Sequence, residues 1–542
     1  MKKPTAWIAV LALCGFSGLL GAASFAPVQA WPVAWVALAP MFWVVFTRRP
    51  GQAIVGAWLG GSVLIAGVMY WVARFGYLPW LLLAGIEGLA AAGAAASIII
   101  ARPAPGWRRV AFAALAWTAW DWLRTLGPFG VPWAQLGHSQ IVFLPVAQIA
   151  AVAGVDGVTL LLALFSAAVA DAVARCAAQP GVALQGHPEG DPSGSPEWAA
   201  VPHSGISLGN WRPAIIVAAL AAIAVGWGDF RVILIERAER RHRPIRVAMI
   251  QASVEPDLAA RDVNRPITLQ ERELYLTLHE SLTVSAAKSH PRLIIWPESA
   301  LPGDPMAETD IMARLSGLAH KTSAWLIVGG HTWKEEREYN SAFLIAPDGT
   351  LRGRYDKVHL VPFGEYVPGR HWLPLLQHYQ VLASDIAAGR EFVTWQCGAD
   401  LGPMICFESA FPHISRRLRR MGAQVLVVMT NDAWFGKTAA AEQHMQIGRF
   451  RAIEEGVSVV RAAASGVSCA ITPTGRIISR TRLAEQTALV ADVPTTTFRT
   501  VYGATGPALP VVCWLAVLLA MALRVVRAGS HGGLPLQAGP SR

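Results

Sequence analysis

The sequence predicts a multi-pass α-helical membrane bundle joined to an α/β sandwich domain. Only 15% of the 542 residues are charged, whereas a typical soluble domain has about 25%. The deficit is concentrated in residues 1–230, which contain long uncharged apolar runs. In residues 244–498, short apolar strands alternate with polar helical stretches, and this alternation is typical of an α/β sandwich.

Residues 1–230 are predicted to form about seven membrane-spanning helices, because a span needs about 20 mainly apolar residues. We interpret the first apolar run as an uncleaved helix rather than a signal peptide, since further spans follow it at once. Another span is predicted at 507–527, after the α/β domain. The seven earlier apolar runs lie at 7–25, 31–46, 54–72, 78–101, 110–123, 142–170 and 213–227.

Basic residues indicate how the bundle is oriented. They cluster at the N-terminus, at 48–49, at 102–109 and after residue 523, whereas the turns at 26–30 and 73–77 contain few of them. The positive-inside rule then predicts a cytoplasmic N-terminus, and an odd number of spans places the α/β domain on the outer side. One group of residues disagrees with this orientation, namely Arg237, Arg240, Arg241 and Arg243.

The bundle region has two further features. Residues 177–210 are rich in Gly, Pro, Ser and His and lack periodicity, so we expect a flexible cytoplasmic loop. Glu87, Asp121 and Asp156 are carboxylates within apolar runs, and an ionisable group at bilayer depth is a candidate functional residue. Each of them lies beside Gly or Trp, and we expect them to pair structurally within the bundle.

The α/β domain is predicted to contain ten strands, with helices ending near residue 289 and spanning about 307–320. Pro473-Thr474-Gly475 predicts a hairpin between two of the strands. In α/β sheets the reactive groups collect at strand ends, on loops that a rigid scaffold positions. The predicted strands lie at 245–251, 293–296, 324–329, 339–345, 392–396, 404–406, 425–429, 457–463, 469–472 and 487–493.

Three side chains occupy such positions, namely Glu298, Lys357 and Cys406. A cysteine nucleophile reacts as the thiolate, so its thiol needs a nearby base or cation. We expect the apolar Trp296-Pro297 beside Glu298 to raise the pKa of that carboxyl, which would then act as base and acid. The Lys357 ammonium would stabilise a tetrahedral oxyanion together with a backbone N–H.

Each of these residues, taken alone, is usually a core residue or a solvated side chain with no catalytic role. A cysteine after an apolar strand is usually a core residue, which is how we interpret Cys397 and Cys469. A glutamate at a strand end and a lysine in a charged loop are usually solvated. The order of the three residues, each at a strand end of one domain, favours a joint role in acyl transfer at a membrane.

Composition argues against other classes of site and partner. The formal net charge is +10, and only seven of the 46 basic residues are lysines. Many arginines end apolar runs instead of clustering with aromatic residues, so we expect no nucleic-acid partner. The six cysteines form no CxxC pair and no zinc-type spacing, so we expect neither a metal nor another cofactor.

Several motifs resemble a known family. Trp296-Pro297-Glu298, the stretch from Tyr355 to Pro368 that reads YDKVHLVPFGEYVP, and Ile405-Cys406-Phe407-Glu408 are similar to the nitrilase superfamily of carbon–nitrogen hydrolases. The apolar first half of the chain resembles the membrane branch of that superfamily, the apolipoprotein N-acyltransferases. The segments 130–140 and 431–451 are also similar to that branch, and 177–210 resembles an insertion.

The resemblance implies an enzyme of lipoprotein biosynthesis in the bacterial inner membrane, with a periplasmic nitrilase-like α-β-β-α sandwich. Cys406 would accept an acyl chain from a phospholipid, such as phosphatidylethanolamine, as a thioester. The acyl chain would then pass to the N-terminal amine of a diacylglyceryl-modified lipoprotein. Glu298 would be the base and Lys357 would hold the oxyanion.

The resemblance also implies supporting residues. Glu365 and Glu408 would orient Lys357 or the incoming amine. Phe407 stands where some members of the branch have tyrosine, and its backbone N–H is the expected second oxyanion donor. We further expect supporting or substrate contacts from Asn340, Trp434 and Phe435.

The stretch 371–382 is too apolar for an ordinary exposed loop, and Trp434-Phe435 also lies in a turn. We predict that these loops form a lid against the bilayer. Two other functions remain open at this point. A membrane-anchored amidase that hydrolyses a small amide would use the same three residues with water as the second nucleophile. A transporter would require several intramembrane charges and inverted repeats, and the sequence has few such charges and no obvious repeat.

Overall fold

The computed structural model describes residues 4–178, 208–254, 267–370 and 385–530. The predicted lid at 371–382 and most of the predicted loop at 177–210 lie outside the described residues. The α-helices are α1 (Pro4–Ala23), α2 (Ala39–Thr47), α3 (Pro50–Val68), α4 (Tyr77–Glu87), α5 (Leu89–Ala101), α6 (Trp107–Leu123), α7 (Leu144–Ala147), α8 (Ala150–Ala178), α9 (Leu208–Glu239), α10 (Leu269–Ala287), α11 (Thr309–Thr322), α12 (Pro412–Arg420), α13 (Ala440–Glu455), α14 (Val501–Thr505) and α15 (Ala508–Ser530).

Six helical segments in the described part of the chain are long and apolar enough to cross a membrane. Trp31–Thr47 is shorter and consists of a 3-10 turn followed by α2, and α6 has only 17 residues. The number of seven spans before the α/β domain therefore stays a prediction. The six segments are Ala6–Ala23, Pro50–Val68, Tyr77–Ala101, Ala150–Ala178, Gly209–Glu239 and Ala508–Arg527.

Large apolar side chains cover the outer face of these helices. Leu81, Leu82 and Ile86 on α4 are each more than half exposed, as are Leu515 and Leu519 on α15. Contiguous exposed apolar surface of this kind marks contact with an apolar environment. Length and surface together make the chain a multi-pass membrane protein.

The three carboxylates that the sequence singled out in the bundle are buried and paired. Arg124 Nη1 lies 3.3 Å from Glu87 Oε2, and its Nη2 lies 2.8 Å from Asp121 Oδ1. Arg124 also donates to the carbonyl of Val131 at 2.9 Å. Asp156 Oδ1 accepts a 3.1 Å hydrogen bond from the Gln135 amide. The prediction that these carboxylates pair structurally is therefore confirmed.

The α/β domain contains two six-stranded sheets. The first sheet has the order β12-β1-β2-β3-β4-β5, and the second has the order β11-β10-β9-β8-β7-β6. The strands are β1 (Ile245–Gln251), β2 (Leu293–Ile295), β3 (Trp325–Lys334), β4 (Arg337–Ile345), β5 (Leu351–Asp356), β6 (Trp395–Gln396), β7 (Asp400–Ile405), β8 (Val425–Thr430), β9 (Ser458–Ala463), β10 (Cys469–Ile471), β11 (Ile477–Arg480) and β12 (Thr487–Val493).

Alternating side chains on the strands build the layers. Val247 and Met249 of β1 join the apolar core between the two sheets, whereas Ala248 and Ile250 pack toward α10 and α11. Successive side chains of a strand point to opposite faces, so one apolar strand supplies both cores. On the far side, α12 and α13 share a third core with the membrane helices. The predicted α-β-β-α sandwich on a helical bundle is confirmed.

Two strands escaped the sequence prediction, β5 and β11. Both lie at the edge of a sheet and consist mainly of exposed and partly buried residues. An edge strand has a ladder partner on one side only, so its sequence needs no continuous apolar run. The hairpin at Pro473-Thr474-Gly475 is confirmed, because it joins the antiparallel strands β10 and β11. Cys397 and Cys469 are buried, as expected for core residues.

We expect Arg124→Leu to destabilise the bundle, because it leaves the buried Glu87 and Asp121 carboxylates without their cation. Removing one partner of a buried ion pair costs about 3–5 kcal/mol. The midpoint of thermal unfolding of the detergent-solubilised protein measures the loss. Arg108→Leu, on an exposed residue of the same region, is the matched control. Adding Glu87→Gln and Asp121→Asn should restore part of the stability, and equal midpoints for both leucine variants would contradict this reading.

Candidate active site

Glu298 lies in the turn that follows β2, where the first sheet meets the second. Trp296 is fully buried and anchors the turn through a 2.9 Å hydrogen bond from its indole to Thr283. The neighbouring strand β3 has Gly329 against the carbonyl of Pro297, and a Cβ there would collide with that carbonyl. This close approach buries the Glu298 side chain at the sheet edge, with only 5% of the residue exposed.

Lys357 follows β5 and places its ammonium between two carboxylates. Its Nζ lies 3.2 Å from Glu298 Oε1 and 2.8 Å from Glu365 Oε1. The Asn340 amide donates to the same two carboxylates, at 2.7 Å and 3.3 Å. Val361 N–H binds the other oxygen of Glu365 at 2.8 Å. Glu365 therefore contacts Lys357 directly, and Asn340 contacts both carboxylates, while their supporting role stays a prediction. The strand before Lys357 is polar rather than apolar.

Cys406 follows β7 and begins the 3-10 helix Cys406–Ala410. Its φ of 54° lies in the left-handed region, which is costly for a residue with a Cβ and directs the side chain sharply out of the strand. The half-buried thiol interacts with the Glu298 carboxylate and the Thr430 hydroxyl. The structure therefore brings Cys406, Glu298 and Lys357 together, although 108 residues separate the first two along the chain.

The electrostatics of Glu298 differ from the expectation. Burial raises the pKa of Glu298, but the Lys357 ammonium and three hydrogen-bond donors lower it by more, so the pKa lies below its ordinary value. The prediction of a raised pKa was wrong, because it counted the apolar neighbours and not the buried cation. Burial lowers the pKa of Lys357, yet the adjacent carboxylates raise it well above its usual range. The resting site therefore contains a carboxylate and an ammonium.

The Cys406 thiol is protonated in this resting arrangement. Burial and the Glu298 charge raise the pKa of the thiol far above its ordinary value, and the Lys357 charge only partly opposes them. A thiol beside an ionised carboxylate gives up its proton as it attacks, so the base operates during the reaction rather than before it. The first N–H groups of a helix have no intrahelical partner. The N–H of Phe407, in the first turn of the 3-10 helix, is suited to an oxyanion.

Glu408 acts on the backbone rather than on the Lys357 side chain. Its Oε1 accepts from Val358 N at 2.7 Å and His359 N at 3.1 Å, and its Oε2 accepts from Ile405 N at 2.7 Å. The Tyr355 hydroxyl donates to both oxygens at 3.0 Å. Burial raises the pKa of Glu408 to about 7, while backbone N–H groups and the Lys357 charge lower it. One buried carboxyl thus ties the Lys357 loop to the Cys406 strand.

The aromatic residues predicted at the site lie in two segments, the 3-10 helix that begins at Cys406 and the turn Asp432–Phe435. Phe407 stacks on Trp133 of the membrane part, with ring centroids 6.3 Å apart. Phe435 packs edge-on against Trp71 and Trp133, at 4.8 Å and 6.3 Å. Trp434 is half-buried in the same turn. These contacts make Phe407 and Phe435 part of the junction with the bundle.

Two family models match separate parts of the chain. Residues 246–501 match the carbon-nitrogen hydrolase family. Residues 17–168 match the apolipoprotein N-acyltransferase N-terminal domain. The first match includes Glu298, Lys357 and Cys406, and the second covers much of the bundle, including Trp71 and Trp133.

Two bacterial relatives align with nearly the whole length of this chain. An apolipoprotein N-acyltransferase of Geobacter metallireducens is 30% identical over 531 residues, which cover 95% of each chain. One of Rhodopseudomonas palustris is 30% identical over 552 residues, covering 95% of this chain and 94% of that one. The chain belongs to the apolipoprotein N-acyltransferase family. Among solved structures, an amidase from Nesterenkonia sp. is 20% identical and covers 50% of this chain and 97% of that chain, with a TM-score of 0.37.

This member of the apolipoprotein N-acyltransferase family has a buried polar cluster below Cys406 to which the sequence analysis gave no role. His444 Nε2 lies 3.2 Å from the Cys406 carbonyl, and its Nδ1 lies 3.0 Å from Asp432 Oδ1. Arg461 Nη2 lies 2.7 Å from Asp432 Oδ2. The Ser409 hydroxyl donates to the same Cys406 carbonyl at 2.9 Å. These contacts fix the carbonyl of the strained residue, and only the spacing of Asp432 and His444 in the 431–451 motif hinted at them.

The bundle of this family member forms one wall of the site. Trp133 is 2% exposed, and its indole donates to Gln443 of α13 at 2.9 Å. The Gln443 amide in turn donates to the carbonyls of Ala26 and Val68, at 2.7 Å and 3.0 Å. Three segments of the bundle are therefore tied to one helix of the α/β domain. Cys406 directly precedes Phe407, whose ring stacks on Trp133 of the membrane part.

We expect Glu408→Gln to reduce acyl transfer by at least about tenfold, because the amide NH₂ would face backbone donors that now bind a carboxylate. The same change should lower the unfolding midpoint. Glu442→Gln is the matched control, since Glu442 pairs with the exposed Arg480 at the surface. Wild-type turnover in Glu408→Gln would show that the two loops hold their positions without this carboxyl.

We expect the alkylation rate of Cys406 by iodoacetamide to rise with pH through about 9 without levelling. The reactive thiolate fraction grows until pH reaches the pKa, and the pKa of this thiol lies above the ordinary value of about 8.5. Peptide mass spectrometry of the full-length protein measures the rate at Cys406. At each pH the alkylation rate should be lower in Lys357→Met than in the wild type, because this change removes the charge that lowers the pKa of the thiol. A plateau below pH 8 would indicate a preformed thiolate instead.

Proposed function

We propose that the chain transfers a fatty acyl group from a phospholipid to the N-terminal amine of a diacylglyceryl-modified cysteine of a lipoprotein. The observation that supports this most directly is the convergence of Cys406, Glu298 and Lys357 beside the bundle. Membership of the family supports lipid and lipoprotein as the substrate classes. Phosphatidylethanolamine or a similar phospholipid is the proposed donor, and no cofactor is required by the chemistry.

In the first half-reaction Glu298 takes the thiol proton while the sulfur of Cys406 attacks the sn-1 ester carbonyl. The resulting oxyanion receives hydrogen bonds from Lys357 and from the N–H of Phe407. Collapse of the tetrahedral intermediate breaks the ester bond and leaves the acyl group on sulfur. The leaving alkoxide takes the proton from Glu298 and departs as lysophospholipid, so the carboxylate is restored.

In the second half-reaction the neutral α-amine of the lipoprotein attacks the thioester carbonyl. Glu298 accepts a proton from the nitrogen and returns it to the departing sulfur, which regenerates the thiol. The products are an amide on the lipoprotein and the free enzyme. The lowered pKa of Glu298 suits this cycle, because the carboxylate must be ionised at the start of each half-reaction.

The proposed location is the bacterial inner membrane, with the N-terminus in the cytoplasm and the α/β domain in the periplasm. The six candidate spans and the bacterial relatives support a multi-pass bacterial membrane protein. The distribution of basic residues in the first loops supports the orientation. Trp133 and Phe407 would then face acyl chains that enter from the bilayer.

Mass spectrometry of the full-length protein purified from membranes tests the proposal. We expect a fatty-acyl adduct on Cys406 that hydroxylamine removes and that is absent in Cys406→Ala. Cys397→Ala, which changes a buried core thiol, is the matched control and should keep the adduct.

A labelled acyl donor then distinguishes transfer from hydrolysis. Label on the amine of a lipopeptide acceptor supports the transferase. Label released only as free fatty acid would support a membrane-anchored hydrolase of the amidase type and overturn the proposal.

A further inference from the structure

Two groups of arginines lie where the chain leaves the apolar helices on the side of the α/β domain. The first group follows the apolar face of α9, whose Phe230 and Ile233 are about half exposed, and it leads directly into β1. We name it the entry group, and it comprises Arg237, Arg240, Arg241 and Arg243. All four of its members are exposed.

The second group borders the return of the chain into the membrane helices. Arg416 and Arg420 of α12 donate to the carbonyls of Gly503 and Ala504 in α14, at 3.0–3.1 Å. The span α15 begins four residues later, at Ala508. We name the neighbouring arginines the exit group, and it comprises Arg417, Arg419, Arg420 and Arg499.

Chain connectivity places both groups on one face of the bundle. The entry group joins α9 to the first strand of the α/β domain, and the exit group surrounds the connection from its last strand to α15. Both groups therefore lie beside the ends of apolar helices, at the level where lipid headgroups meet water. The entry group contradicts the positive-inside rule, so an interaction on this face of the bundle must account for its charges.

The arginines of both groups lack a close carboxylate, whereas several arginines elsewhere in the described part of the α/β domain have one. Arg246, Arg314 and Arg354 are each paired with a carboxylate within 2.8 Å. Across the ranges that the structure describes, no member of the entry or exit group has a carboxylate partner within 4.0 Å. Arg419 feels both the Glu455 carboxylate and the Arg499 guanidinium, and it forms an ion pair within 4.0 Å with neither. Eight guanidinium groups at a membrane surface thus have unused donors, and guanidinium matches phosphate in geometry and charge.

We propose that the entry and exit groups bind the phosphates of anionic phospholipids and hold the α/β domain against an anionic membrane surface. The inference rests on the proposed function only in placing this domain at a membrane. A net negative headgroup is required, because a zwitterionic lipid brings a cation next to the arginines. Basic residues close to a surface that contains anionic lipid attract it strongly, and salt screens this attraction.

Native mass spectrometry of lipids retained by the full-length Cys406→Ala protein tests the inference, since this background consumes no lipid. The protein is extracted from nanodiscs with equal amounts of phosphatidylglycerol and phosphatidylethanolamine of matched chains. We expect the Cys406→Ala protein, which is the parent of the variants below, to retain phosphatidylglycerol in preference to phosphatidylethanolamine. Arg240/Arg241/Arg243→Gln and Arg417/Arg419/Arg499→Gln, which spare Arg416 and Arg420, should each lower the retained ratio by at least about threefold.

The matched control is Lys321/Lys334/Arg337→Gln, which removes the same charge from exposed residues of α11 and of the β3–β4 hairpin, outside both groups. It should retain the ratio of the parent. Raising the salt concentration from about 0.05 M to about 0.3 M should lower the ratio in the parent more than in the variants. Three results would overturn the inference. The arginine variants could retain the two lipids in the same ratio as the parent, the control could lose as much of this ratio as they do, or both lipids could be lost in parallel. None of these results depends on thioester formation, so failure here and failure of the proposed function can be told apart.

Discussion

A buried ammonium between two carboxylates is the interaction on which the site depends. Lys357 is 1% exposed, and burial of its charge would be prohibitive without Glu298 and Glu365 at 3.2 Å and 2.8 Å. The two carboxylates in turn need Asn340 and backbone N–H groups for their remaining oxygens. Satisfying these charges forces the ends of strands from both sheets to meet at one point. The thiol of Cys406 then lies against a carboxylate that is already ionised and already oriented, which is the arrangement that the proposed reaction needs.

The second constraint is mechanical and concerns the backbone. Cys406 adopts a left-handed φ that its neighbours must impose. Glu408 binds the amide just before the cysteine and two amides just after Lys357, while His444 and Ser409 bind the carbonyl of the cysteine itself. The Cys406 backbone and the Lys357 loop are therefore positioned by one shared carboxyl. The residues proposed to react are few, and a larger buried polar set keeps them within hydrogen-bond range.

The bundle contributes to the site as well as anchoring it. Trp133 stacks on Phe407, and Gln443 links α13 to two carbonyls of the bundle, so the reactive thiol lies beside an aromatic wall of the membrane part. This apolar setting favours the proposed lipid donor over a small soluble amide. The unpaired arginines on the same face fit a domain that works in contact with headgroups.

The sequence by itself determined the two-part architecture, ten of the strands, and Glu298 and Cys406 as candidate residues, because apolar periodicity and strand-end position are local properties. Lys357 became a candidate through its motif, since the strand before it carries no apolar pattern. The sequence missed the edge strands β5 and β11, whose exposed faces require no apolar pattern. It also misjudged the pKa of Glu298 and gave no role to the cluster of Asp432, His444 and Arg461. Those features arise from groups that are distant in the chain and become neighbours only after folding. Burial and charge pairing act through space, so only the tertiary structure decided which side chains share a proton, a cation or a strained backbone.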